Sequence, residues 1–192
     1  MRLFFATFLS HENSVAYQAL VDRVMSDEPG ALRPIPPQSH HLTLAFLGEI
    51  PEADAENCKA GLSAAGELET FSFSLGPPRI LMGRGRPRLI CVDVGVGAKQ
   101  VSEVQAALVA HLGRSLSSLK IRPKPPHITL ARFKKNARRS QAARIEEAIA
   151  RHYDTSLAWE DRCTEIHLVR SSLTPAGPIY ETVQKAQLSA GP

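Results

Sequence analysis

Residues 126–132 read Pro126-His127-Ile128-Thr129-Leu130-Ala131-Arg132, and an earlier stretch, His41-Leu42-Thr43-Leu44-Ala45-Phe46, repeats the pattern. Both copies spell His-x-Thr-Leu-Ala with an apolar residue at x. A short apolar-alternating run bounded by Pro or Gly predicts a strand. Successive side chains of a strand point to opposite faces, so His41 and Thr43 share one face while Leu42 and Leu44 share the other. His127 and Thr129 stand in the same way above Ile128 and Leu130. Each copy therefore offers an imidazole and a hydroxyl on a surface whose reverse side is anchored in a core. Facing each other, the two copies make a site with two imidazoles and two hydroxyl donors. A lone His on a strand is more often structural or solvent-facing than catalytic. The chain, however, has only seven His, and two of them open the same pattern. A duplicated packing unit would preserve Leu and Ala, but packing does not require a paired His and Thr.

The 192 residues suffice for one sizeable core or two small lobes sharing a cleft. No stretch approaches the length needed to span a bilayer. Met1-Arg2-Leu3-Phe4-Phe5-Ala6 has an early positive charge, but its apolar run is too short for the core of a signal peptide and reads as a first strand. Cys58, Cys91 and Cys163 are an odd number with no CxxC spacing, which predicts reduced thiols in a cytoplasm rather than disulfides or a zinc site. The net charge of +4 is partly clustered: Arg84, Arg86 and Arg88; Lys120, Arg122 and Lys124; and Arg132, Lys134, Lys135, Arg138 and Arg139 beside the second repeat. Basic residues flanking a candidate site suggest an anionic substrate, with phosphates foremost.

Leu3 to Leu9 predicts a buried strand. Ser10 then offers an N-cap to a helix reaching about Met25. Arg33 to Gln38, rich in Pro, reads as an extended lead-in to the first repeat. His40 faces away from His41 by alternation and is a bystander. Pro51 starts a second helix that Gly66 closes. Phe71 to Leu75, Arg79 to Met82 and Leu89 to Val96 predict strands, with Gly83 to Pro87 a mobile basic loop. The Gly83–Gly85 and Gly95–Gly97 pieces lack the spacing of a nucleotide-binding loop and are turns. Val101 to Leu112 predicts a helix ending at Gly113, and Arg139 to His152 another. Ser156 to Trp159, Glu165 to Arg170 and Ile179 to Gln187 predict strands, with a frayed tail after Leu188. The expected fold is α+β: two similar lobes, each a largely antiparallel sheet with helices outside, facing across a groove. The lobes would run roughly 1–85 and 86–192 within one functional domain.

Two imidazoles can divide acid and base duties, and the hydroxyls of Thr43 and Thr129 can donate to non-bridging phosphate oxygens. In-line displacement at phosphorus suits a two-fold arrangement of His-x-Thr units. Neither HExxH nor an acidic cluster near either copy suggests a metal site, and no GxSxG frames a Ser nucleophile. On these residues the chain resembles the 2H phosphoesterase superfamily. His41-Leu42-Thr43-Leu44-Ala45-Phe46-Leu47-Gly48 and Pro126 to Arg132 are similar to its RNA 2′,3′-cyclic phosphodiesterase branch, also called the 2′-5′ RNA ligase family. So are Arg2 to Ala6, Leu168 to Leu173 and Gly177 to Glu181, so the resemblance spans nearly the whole chain. It implies hydrolysis of a 2′,3′-cyclic phosphate to a 2′-phosphate on a bilobal fold, without metal or other cofactor. It assigns His41 as proton donor and His127 as proton acceptor, with Thr43, Thr129 and Arg132 binding substrate. Phe46 and Arg132 belong near the groove, yet strict alternation turns both from the His face, so a bulge or strand end is required. Members often carry an aromatic, commonly Trp, ahead of the first motif, where this chain has Arg33-Pro34-Ile35. The expected partner is RNA or an oligonucleotide with a 2′,3′-cyclic phosphate end, acted on by a cytoplasmic monomer with no membrane association. The alternatives are a 2′-5′ RNA ligase using the same site and a catalytically silent RNA- or nucleotide-binding module.

Overall fold

The structure, a computed structural model, describes residues 1–65, 67–115, 125–155, 159–175 and 177–190, without the side chains of Ala64, Arg114 and Ser115. Its elements follow in the order β1 (Arg2–Phe8), α1 (His11–Asp27), β2 (Leu32–Pro34), β3 (His41–Glu49), α2 (Ala55–Ala65), β4 (Phe71–Ser74), β5 (Arg79–Gly83), β6 (Arg86–Asp93), α3 (Ala98–Ser115), β7 (His127–Phe133), α4 (Arg139–His152), β8 (Glu160–Cys163), β9 (Glu165–Thr174) and β10 (Gly177–Gln187). Single 3₁₀ turns occupy Pro37–Ser39 and Glu52–Asp54. The helices form where the apolar spacing asks for them. In α1 the Ser10 hydroxyl accepts the amide of Asn13, and Tyr17, Leu20, Val21 and Val24 make the buried stripe.

The large sheet runs β10-β9-β1-β3-β7-β6-β5, with β2 on β7 beside β3. Its pairings are antiparallel. At its centre β3 and β7, the two repeats, meet through one residue pair, Leu42 with Ile128. The sheet thus divides into two four-stranded halves, β10-β9-β1-β3 and β2-β7-β6-β5, hinged on that pair. Helices α2 and α3 pack together against the first half, and α1 and α4 pack together against the second. A separate two-stranded sheet pairs β4 with β8. Leu42 and Ile128 both sit fully buried in the main core beside Leu44 and Leu130.

The α+β class and the two antiparallel lobes with helices outside stand as expected, but the division at residues 85 and 86 does not. β9 and β10, from the end of the chain, extend the half begun by β1, while β2 joins the half built by β5, β6 and β7. Each lobe is woven from distant segments, a pairing that local periodicity cannot register. Several local readings change too. Gly83 to Pro87 is a tight hairpin turn in which Arg84 and Gly85 take φ of 41° and 81° and Gly83 pairs with Arg86, the two positive values of a type I′ turn. Helix α3 runs past Gly113 to Ser115. The segment after Leu188 is tied down at Ser189, whose amide donates to Leu68 and whose carbonyl accepts from Thr70. Trp159 precedes β8 instead of ending a strand. Gly66 and residues 156–158 lie outside the described residues.

The joint between the halves carries a stability prediction. Truncating Leu42 or Ile128 to Ala should lower unfolding free energy by about 2–5 kcal/mol each, as large-to-small changes in a closed core do. The double variant should lose less than the sum, because the two residues are paired. Urea denaturation reads both quantities, and strict additivity would show that the pair does not act as one joint.

Candidate active site

The short leads into β3 and β7 fix both imidazoles in the same way. Pro36 and Pro37 open the turn that brings the Ser39 carbonyl to 2.7 Å from His41 Nδ1. Pro125 and Pro126 bring the Pro125 carbonyl to 2.9 Å from His127 Nδ1. A carbonyl can only accept, so each Nδ1 carries the hydrogen and each neutral ring keeps its lone pair on Nε2. Both rings line one groove of about 420 Å³ together with Thr43 and Thr129. The Leu42–Ile128 pair sets an antiparallel register in which His41 stands across from Thr129 and His127 across from Thr43. An approximate two-fold axis passes through that pair.

The same irregularity then occurs in each repeat. On β3, Ala45 pairs with Phe5 and Thr43 with Ala6, leaving Leu44 as an extra residue. On β7, Ala131 pairs with Ile90 and Thr129 with Cys91, leaving Leu130 as the extra residue. A bulge of one residue inverts the alternation beyond it. Leu44 and Ala45 are therefore both buried, as are Leu130 and Ala131, and Phe46 and Arg132 return to the face of the imidazoles. Both line the groove. Phe46 is 38% exposed, with the Arg2 guanidinium 5.0 Å above its ring centroid. Arg132 Nε is buried and, among the described residues, has no hydrogen-bond partner. An orphaned buried donor beside two imidazoles is suited to an anionic ligand.

Matched in sequence, the two histidines differ in surroundings. Phe4, Phe8 and Tyr180 enclose His41, with ring centroids 5.1, 5.9 and 5.1 Å away. Phe4, Ala6 and Val169 make a small core of their own beneath it. Burial among these rings pulls the His41 pKa down to about 4, and the charges of Arg132, His40 and His127 pull it the same way, against the opposing hydrogen bond to Ser39. Across from His127, in place of an aromatic ring, stands Asp93, held by the Arg79 guanidinium through Nε and Nη2.

His40 is fully buried and bonded through Nε2 to the Ile35 carbonyl at 3.0 Å, away from the groove as alternation predicts. Tyr180, Ser171 and Arg2 line the groove although nothing in their local sequence singled them out as site residues. They reach it only because β1, β9 and β10 pair beside β3. Of the basic clusters, Arg88 and Arg132 line the groove; Lys120, Arg122 and Lys124 lie outside the described residues. Among the described residues, no group of three or more His, Cys, Asp or Glu is placed to hold a metal ion, and no helix is long and apolar enough to cross a membrane.

Comparison with known proteins places this geometry in context. The model of the 2′-5′ RNA ligase superfamily matches residues 13–174. An RNA 2′,3′-cyclic phosphodiesterase of Thermus thermophilus is 32% identical over 98% of this chain and 90% of its own length. One from Aquifex aeolicus is 32% identical over 80% of each. A crystal structure from Thermus thermophilus superposes with a TM-score of 0.78 at 30% identity, covering 99% of both chains.

The unequal surroundings of the imidazoles give a titration prediction. With the groove empty, the His41 ring should be neutral at pH 7 and take up its proton only near pH 4. An anion in the same low-dielectric groove favours the imidazolium, so a bound nucleoside 2′-phosphate should move that midpoint upward. NMR of ring-labelled His measures both states. A midpoint that stays in place on binding would contradict the electrostatic coupling between His41 and the groove.

Proposed function

Because the chain belongs to the 2′-5′ RNA ligase superfamily, we propose that its groove hydrolyses RNA 2′,3′-cyclic phosphate ends to 2′-phosphates, with His41 as proton donor and His127 as proton acceptor. The observation that carries this reading is the presentation of two Nε2 atoms to one groove across a local two-fold axis, each held by a backbone carbonyl on the far side of its ring. His127 Nε2 takes a proton from water as the water oxygen attacks phosphorus. The P–O3′ bond breaks in line with that attack, and His41 Nε2–H gives its proton to the departing O3′, leaving the phosphate on O2′. Thr43, Thr129 and Arg132 Nε donate hydrogen bonds to the non-bridging oxygens as charge redistributes. Solvent then returns each imidazole to its starting state.

The depressed proton affinity of His41 fits this role once the substrate is counted. The empty groove disfavours the imidazolium, and the phosphodiester anion restores it. Binding therefore recruits the proton that the leaving oxygen needs. The two imidazoles supply both proton transfers, so the reading requires no metal.

Turnover of a 2′,3′-cyclic-phosphate RNA should survive exhaustive chelation and yield a 2′-phosphate end. Loss on chelation with recovery on one added metal, or a 3′-phosphate product, would contradict the mechanism. The division of labour is tested by the leaving group. General acid or base assistance is worth about 10²–10⁴ in rate, so His41→Ala and His127→Ala should both be impaired on the RNA. On an ester releasing nitrophenolate, which needs no proton, His41→Ala should recover most of its activity while His127→Ala stays impaired. The opposite pattern would exchange the two roles.

A further inference from the structure

Beyond the groove, the cations of the chain divide by partnership. Arg79, Arg144, Arg151, Arg170 and Lys185 are each ion-paired with a carboxylate. Arg86, Lys135, Arg138 and Arg139 are not, among the described residues. These four converge instead on a second cavity of about 480 Å³, completed by Pro87, Asn136 and Ala137. No acidic residue stands in the first turn of α4 to offset Arg138 and Arg139. Gathering like charges without counter-charge works against the folded state and raises the local concentration of anions.

The second cavity also continues the first. Arg86 and Arg88 are exposed on either side of buried Pro87, and the register against β5, with Pro87 opposite Met82 and Leu89 opposite Leu81, leaves Arg88 as an extra residue on β6. Arg88 lines the groove with Arg132, while Arg86 lines the second cavity with Lys135, three residues beyond Arg132. The groove wall contributed by the β9–β10 hairpin is apolar at Leu173 and Pro178. A polyanion leaving the groove along β6 and β7 therefore meets further cations beyond Arg88 and Arg132.

We propose that the cavity of Arg86, Lys135, Arg138 and Arg139 is a subsite for the phosphodiester backbone of the RNA strand, immediately upstream of the end held in the groove. The inference rests on the RNA-end reading above and adds to it: the preferred substrate is a strand, and this patch distinguishes it from a mononucleoside cyclic phosphate. Among the described residues, none lining the cavity is aromatic and so able to stack a base, so it reads phosphates irrespective of sequence. It acts on binding, raising affinity for strands without touching the reacting bonds.

The test compares wild-type protein with the Arg138→Gln/Arg139→Gln variant, two exposed changes whose fold is checked by thermal melting. Fluorescence anisotropy follows a single-stranded RNA ending in a 2′-phosphate, which is not turned over and so reads binding even if the RNA-end reading fails. Kinetics on a cyclic-phosphate oligonucleotide and on a mononucleoside 2′,3′-cyclic phosphate test that reading separately. Losing two phosphate contacts should flatten the salt dependence by about 1.4 in log–log slope and weaken oligonucleotide binding about tenfold near physiological salt. KM for the oligonucleotide should rise with kcat held, and the mononucleoside substrate should be turned over as by wild type. Unchanged oligonucleotide binding, or an equal loss on both substrates, would overturn the proposal. So would an acidic peptide of equal charge binding as tightly as the RNA, which would indicate a protein partner.

Discussion

The active groove depends on one backbone pairing, Leu42 against Ile128, where the two halves of the sheet meet. Both side chains are driven into the main core, and that burial sets the register. Because side chains alternate, a slip of one residue would bring leucines into the groove and send the imidazoles inward. Burying Leu42 and Ile128 thus does two jobs. It joins the lobes, and it forces the His and Thr of each repeat onto the opposite face. The paired bulges at Leu44 and Leu130 then readjust the strands, keeping an extra Leu in the core while returning Phe46 and Arg132 to the groove.

Two-fold likeness in the backbone does not make the two imidazoles equivalent. Each is held by a carbonyl two residues earlier in the chain, so tautomer and orientation match. Their neighbours do not, because the strands flanking β3 and β7 are unrelated in sequence. Phe8 on β1 faces His41, whereas Asp93 on β6 faces His127. The aromatic enclosure of His41, with Tyr180 contributed from β10, is what lowers its proton affinity. Two chemically unequal imidazoles therefore arise from a repeated motif without any change in the motif itself.

Much of this was legible in the chain because it is local. His41 with Thr43, and His127 with Thr129, follow from alternation over three residues, and the stiff proline leads into both strands follow from missing donors and fixed φ. The helices followed from apolar spacing, as with Tyr17, Leu20 and Val24. What stayed hidden is non-local. The Leu44 and Leu130 bulges are defined only against their partner strands, and no residue type in Thr-Leu-Ala marks them. The assignment of β9 and β10 to the half of β1 depends on pairings some 160 residues apart, such as Phe4 with Val169. Tyr180 enters the site by that route alone. Arg84 reads as part of a loose loop because Gly is the usual residue at positive φ, yet it occupies the first position of a tight turn.

The central claim is that one water attacks phosphorus directly, opposite the leaving O3′, between two imidazoles acting on opposite sides. The stereochemical course at phosphorus tests this most directly. A 2′,3′-cyclic phosphorothioate of known configuration, hydrolysed in ¹⁸O-water, gives a chiral product whose configuration reports the number of displacements. A single in-line attack predicts clean inversion. Retention would require two successive displacements through a covalent phospho-enzyme, with one imidazole as nucleophile, and would contradict the division into acid and base.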